Sequence, residues 1–258
     1  PFIVLGLADC CLEELLVHRE SISWSERLAL LRGVVLGVHQ IHLSRVVHRD
    51  IKTSNCLVFR VAKGFRTVLS DFGRSRDMSR PASSPSHSYF AGRGDFRFAP
   101  PECLWLQVNE SEGVWQRIDV YGIGSVFFEL ATGQGLTGYA LGSGPDIFDA
   151  VSRMPPAVRL AHYKSQLPEL RARYEDAFEH FQALLPRSIA KLGGELIRQI
   201  GNPDPARRLP ALSRRSGGPG LEWLLRRIDI LSLTLKNAEN ENAKKPKTQR
   251  GMTNVGRR

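Results

Sequence analysis

The sequence predicts a mainly α-helical domain that carries one small β-hairpin. Three observations point to it. Apolar residues recur at helical spacing in several long stretches, the segment from Asp119 to Leu130 is apolar nearly all round, and one pair of short β-prone runs flanks a turn. With 258 residues, 42% of them hydrophobic and 24% charged, the chain is long enough to bury a full core.

Taken in order, Phe2-Ile3-Val4-Leu5 is a β-prone run ended by Gly6. Ser23-Trp24-Ser25-Glu26 has the spacing of a capping box, in which the serine hydroxyl takes the Glu26 amide and the carboxylate reaches back. Leu28, Leu31, Val35 and Val38 then mark a helix to about Leu43, and His39 and His42 on it read as structural. Leu57-Val58-Phe59 and Val68-Leu69-Ser70 around Ala62-Lys63-Gly64 predict the hairpin. Asn55 precedes one strand and Asp71 follows the other, so a hairpin would bring these two polar groups together. Residues 74–98, rich in Ser, Arg, Pro and Gly without apolar period, read as a long surface loop.

The apolar helix opened by Asp119 is expected to be buried, with Gly133 after Thr132 as its stop. Leu170, Tyr174, Phe178, Phe181 and Leu185 mark another helix, and Ile189, Leu192, Leu196 and Ile200 one more. Leu221, Leu224, Leu225 and Ile228 begin a last one, with order expected to fade after about Lys236. The expected organisation is one domain over 1–235 and a basic, disordered tail over 236–258.

Composition narrows the function classes. No apolar run approaches the roughly 20 residues of a membrane span. The opening residues carry no basic leader or cleavage site, and they read as the inside of a strand whose natural N-terminus lies upstream. Cys10, Cys11, Cys56 and Cys103 lack zinc spacing and suit free thiols in a reducing cytoplasm. The net charge is +10, and from Lys236 to Arg258 seven basic residues stand against Glu239 and Glu241. Such a tail could meet an acidic partner (lipid, nucleic acid or a protein face), but a solvated, disordered end is the simpler reading and the one expected.

The most informative stretch is His48-Arg49-Asp50-Ile51-Lys52-Thr53-Ser54-Asn55, followed by Asp71-Phe72-Gly73. Further on come Ala99-Pro100-Pro101-Glu102 and Asp204-Pro205-Ala206-Arg207-Arg208. In this order the set resembles the eukaryotic-type protein kinases, in particular their Ser/Thr-specific members. The resemblance implies a kinase C-terminal lobe and phosphoryl transfer from ATP to a protein substrate, with magnesium. It implies Asp50 as the base, Lys52 against the transferring phosphate, and Asn55 and Asp71 as metal ligands. By the same resemblance Leu5, Gly6 and Ala8 line the adenine hinge and Leu57 floors the adenine pocket. Asp119 would brace the catalytic loop, Glu102 would pair with Arg208, and Arg49 would answer phosphorylation at Ser75, Ser79, Ser83, Ser84, Ser86, Ser88 or Tyr89.

Two departures stand against this. Gly94-Asp95-Phe96 lies where the family often has Gly-Thr-Pro, so Asp95 puts a carboxylate near Asp50 that could accept from Lys52. No Gly-x-Gly-x-x-Gly occurs and no lysine precedes Lys52, so the resemblance covers the hinge and C-terminal lobe, about residues 2–210, with the N-lobe largely missing. A non-catalytic kinase-like binding or scaffold module is therefore the alternative expectation.

Overall fold

The structure, a computed structural model, describes residues 6–18, 21–62, 64–81, 95–109, 111–142, 144–209 and 220–244. The run Phe2–Leu5, most of the serine candidates and the end of the tail lie outside them.

Strand β1 (Cys10–Cys11) leads directly into helix α1 (Leu12–Leu16). Helix α2 (Trp24–Leu43) starts at the expected capping box: Ser23 Oγ accepts the Glu26 N–H at 3.2 Å and Glu26 Oε2 accepts the Ser23 N–H at 2.8 Å. Two-residue strand β2 (Val46–Val47) follows, and then the hairpin of β3 (Cys56–Val61) and β4 (Gly64–Leu69). Its register runs from Cys56 opposite Leu69 to Val61 opposite Gly64, and β1 adds antiparallel to β3 with Cys11 opposite Leu57. The hairpin rests closely on α2, because a Cβ on Gly33 would sit 2.9 Å from Thr67 Cβ.

The stretch expected to be loop contains β5 (Arg76–Asp77), which pairs antiparallel with β2. Two residues of pairing leave no readable alternation in sequence. Helix α3 (Pro101–Leu104) begins at a proline, and α4 (Glu112–Thr132) runs a full turn and more ahead of Asp119. Helix α4 is buried all round from Ile118 to Ala131 and ends at Gly133, whose φ of 75° suits a residue without Cβ. Helices α5 (Leu136–Leu141) and α6 (Gly144–Ser152) follow.

Helix α7 (Pro156–Leu184) is far longer than the predicted stripe from Leu170 and runs through Pro168. Its first half is mostly exposed, so no apolar stripe announces it. Helix α8 (Ala190–Ile200) matches expectation. Helix α9 (Glu222–Lys244) continues past Lys236, where order was expected to fade. Leu224, Ile228, Leu231 and Leu235 of α9 join the main core with Leu28, Leu31 and Val35 of α2, which accounts for the helix persisting to that point. Among the described residues no helix is long and apolar enough to cross a membrane. All four cysteines are free thiols.

Candidate active site

The loop between β2 and β3 is held from below by one side chain. Asp119, fully buried on α4, accepts the His48 N–H at 2.8 Å and the Arg49 N–H at 2.7 Å. His42 Nε2 donates to the same carboxylate at 2.9 Å, which settles that histidine as structural. Close approach of α4 makes this possible: a Cβ on Gly122 would lie 2.6 Å from Ile51 Cβ. Because the loop backbone is pinned by hydrogen bonds to a charged group, its own side chains are left to face the cleft.

Asp50 stands at the centre. Asn55 Nδ2 donates to its carbonyl at 2.9 Å and to its Oδ2 at 3.2 Å. Lys52 Nζ and Arg74 Nη1 approach opposite carboxylate oxygens, each at 3.7 Å. Sequence reasoning missed Arg74, although it directly follows Asp71-Phe72-Gly73. The hairpin brings the two candidate metal residues together as expected, since Ser70, the residue before Asp71, donates its N–H to the Asn55 carbonyl at 2.9 Å. Asp71 takes a left-handed conformation (φ 56°) and accepts the Gly73 N–H at 3.3 Å; Arg49 is also left-handed at 69°. Positive φ at two non-glycine residues costs local backbone energy that the surrounding hydrogen bonds hold in place.

Asn55 and Asp71 fit a magnesium ion held mostly by phosphate and water. Both offer hard oxygens, and the Asn55 amide nitrogen is committed to Asp50, which leaves its Oδ1 to face a cation. Among the described residues no three His, Cys, Asp or Glu side chains gather into a metal site.

Of the candidate adenine residues, Leu5 lies outside the described residues. Gly6 is exposed, and Ala8 and Leu57 are half-buried. Asp9 donates its N–H to the Val58 carbonyl at 3.0 Å, so the segment carrying Gly6 and Ala8 runs into the strand beside Leu57.

The closing segment, from Asp95 to Glu102, is locked at its far end. Glu102 and Arg208, both buried, form the expected two-pronged ion pair, with Arg208 Nη2 donating to Oε2 at 2.8 Å and Nη1 donating to Oε1. Arg208 Nε donates to the Asn202 carbonyl at 2.7 Å, and the guanidinium lies 4.7 Å from the Tyr121 ring centroid. Thr137 Oγ1 donates to the Ala99 carbonyl at 2.6 Å and stands 2.6 Å from Tyr121 Oη, which in turn meets Tyr174 Oη at 2.7 Å. Arg49 stacks on Trp115 at 5.0 Å and donates to the Arg74 carbonyl at 2.6 Å. Ser75 and Ser79 are described and hydrogen-bond locally, Ser75 to the Phe72 carbonyl at 2.6 Å and Ser79 to Asp77. Ser83, Ser84, Ser86, Ser88 and Tyr89 fall outside the described residues.

Asp95, which could accept from Lys52, stands within electrostatic reach of it but takes its hydrogen bonds from Arg97. Asp95 is clasped by Arg97, whose Nη2 donates at 2.6 Å and Nε at 2.9 Å, while Lys52 keeps its pairing to Asp50.

Compared with known proteins, the chain matches the family model of the protein kinase domain over residues 2–213. It is 32% identical over 119 residues to the human dual specificity testis-specific protein kinase 1, covering 46% of this chain and 18% of that protein. It is 28% identical over 176 residues to the serine/threonine-protein kinase PBL27 of Arabidopsis thaliana, covering 67% of this chain and 32% of that one. The match thus spans a fifth to a third of the length of these curated relatives. Among solved structures, the yeast RNA Pol II CTD kinase CTDK-1 complex contains a chain that aligns with a TM-score of 0.54 at 20% identity, over 80% of this chain and 66% of that one. That likeness is one of fold.

Proposed function

Because the chain belongs to the protein kinase domain family, we propose that it transfers the γ-phosphoryl group of ATP to a serine or threonine hydroxyl of a protein substrate. The observation that carries the reading is the convergence of Asp50, Lys52 and Asn55 on one loop braced by Asp119, with Asp71 beside them across the hairpin ends. Asp50 accepts the acceptor hydroxyl's proton as that oxygen attacks. Lys52 turns from Asp50 to the transferring phosphate and offsets its charge. Asn55 and Asp71 would hold magnesium, which when bound neutralises phosphate oxygens. Gly6, Ala8 and Leu57, with Leu5, take the adenine. The lysine two residues after Asp50 supports Ser/Thr specificity, and four free thiols support a reducing, cytoplasmic setting.

The test measures phosphate transfer from radiolabelled ATP to a generic basic protein and Mg-ATP binding by calorimetry. Asp50→Asn is expected to lower kcat by about 10²–10⁴-fold with nucleotide binding retained. Asp71→Asn is expected to weaken Mg-ATP binding instead. Near-normal turnover by Asp50→Asn overturns the assignment. A binding module is the competing reading, favoured by the Asp95 carboxylate in the cleft, and it predicts a wild-type protein that captures protein partners but transfers no phosphate.

A further inference from the structure

The cleft in front of Asp50 has a volume of about 560 Å³, and its walls include Lys52, Arg74, Asp95 and Arg97. Two carboxylates and three cations therefore share a small space, and which of them pair decides whether any cation is left for a phosphate. The Asp95 side chain is 18% exposed and the cleft holds Lys52 within electrostatic reach of it. A half-desolvated carboxylate in this position is costly unless neutralised, so some cation must answer it.

Arg97 does so with a fork. Nη2 donates to Oδ2 at 2.6 Å, Nε donates to Oδ1 at 2.9 Å, and the Arg97 backbone N–H donates to Oδ1 at 3.1 Å. The fork is built in advance. The Asp95 carbonyl accepts the N–H groups of Phe98 and Ala99 at 3.0 and 3.1 Å, closing a tight turn, and the Arg97 carbonyl accepts the Gly138 N–H of α5 at 3.1 Å. The residue capping this helix presses so closely that a Cβ on Gly135 would lie 2.6 Å from the Arg97 carbonyl oxygen. Glu13 on α1 shares the same Nη2, accepting from it at 3.5 Å. Burial alone would raise the Asp95 carboxyl, and the Arg97 hydrogen bonds reverse this and hold it below the usual carboxylate range.

Building on the kinase reading, we infer that Arg97 is a positioning residue: by saturating Asp95 it stops that carboxylate from capturing Lys52, which stays free to leave Asp50 for the transferring phosphate. The arrangement explains how a chain with Asp where a neutral hydroxyl would serve keeps a usable lysine. It also makes the pair Asp95–Arg97 a unit, so that Asp95 without Arg97 is worse than both or neither.

The experiment reads Lys52 itself, without turnover. Acetylation of Lys52 by N-hydroxysuccinimidyl acetate at mildly alkaline pH is followed by mass spectrometry in the wild type, Arg97→Ala, Asp95→Thr and the double variant. Loss of Arg97 should let Asp95 pair with the Lys52 ammonium and tie it up, slowing acetylation about tenfold. Asp95→Thr should restore the rate in the Arg97→Ala background, and Arg97→Ala should change nothing once Asp95 is gone. Arg97 is 59% exposed, so its removal is not expected to unfold the domain, and the Asp95→Thr background supplies a second comparison if it does. An unchanged Lys52 rate in Arg97→Ala, or a slowing that Asp95→Thr does not relieve, overturns the inference. Phosphate transfer measured on the same four proteins separates the two claims: absence of transfer with the acetylation pattern intact overturns the kinase reading alone.

Discussion

The loop from His48 to Asn55 and the segment from Asp95 to Glu102 face the same cleft but are held by opposite means. The first is held through its backbone: one buried carboxylate, Asp119, receives two of its N–H groups, and the side chains of Asp50 and Lys52 line the cleft, with Asn55 donating to Asp50. The second is held through its own side chains, Asp95 by Arg97 and Glu102 by Arg208, with Thr137 fastening the Ala99 carbonyl between them. A segment held by its backbone can spend its side chains on chemistry. A segment held by its side chains has fewer to offer, and its substitutions should read out as stability.

That contrast can be broken first at the buried ion pair. Arg208→Ala leaves Glu102 buried, 2% exposed, without its partner, and is expected to cost about 3–5 kcal/mol in urea unfolding. A loss under about 1 kcal/mol would mean that the closing segment is held by something other than this pair.

A smaller, local effect is expected at the brace. Asp119→Asn keeps the shape but turns an NH₂ toward one of three donors, costing about 1.5–3 kcal/mol. Amide hydrogen exchange at His48 and Arg49 should accelerate while exchange around Glu102 does not. Equal acceleration in both segments would erase the distinction between them.

The smallest effect depends on pH. Glu129, 5% exposed on α4, is pushed up to about 7 by burial. Its folded value exceeds its unfolded one, so the folded state holds the proton more tightly. Stability is therefore lost as pH rises from the ordinary glutamate range to about 7. Glu129→Gln should be the more stable protein at pH 8, by on the order of 2 kcal/mol, with the difference vanishing near pH 4. Thermal melts of both proteins across that range check the sign. A constant difference would show that folding leaves the proton affinity of Glu129 unchanged.

Much of the cleft was legible because its parts are local. The capping box at Ser23, the hairpin that joins Asn55 to Asp71, and the stop at Gly133 each arise within a few residues, so their residue types announce them. Asp119, Glu102 and Arg208 were legible for a different reason, since motif resemblance carried them across long separations. What resemblance could not supply was missed. Helix α7 begins at Pro156 rather than near Leu170, because its first half is mostly exposed and contains Pro168, and exposed positions impose no apolar period.

The same limit applies to charge. The sequence by itself determined which acids and bases this protein has, where helix α2 and the hairpin lie, and which family its motifs belong to. Only the tertiary structure decided who pairs with whom. Asp95 has Arg97 two residues away and Lys52 across the cleft, and sequence spacing does not choose between them. The turn at Asp95 and the seat of Arg97 against α5 make that choice, because ion pairing depends on distances of a few ångströms and on water excluded by neighbours far apart in the chain.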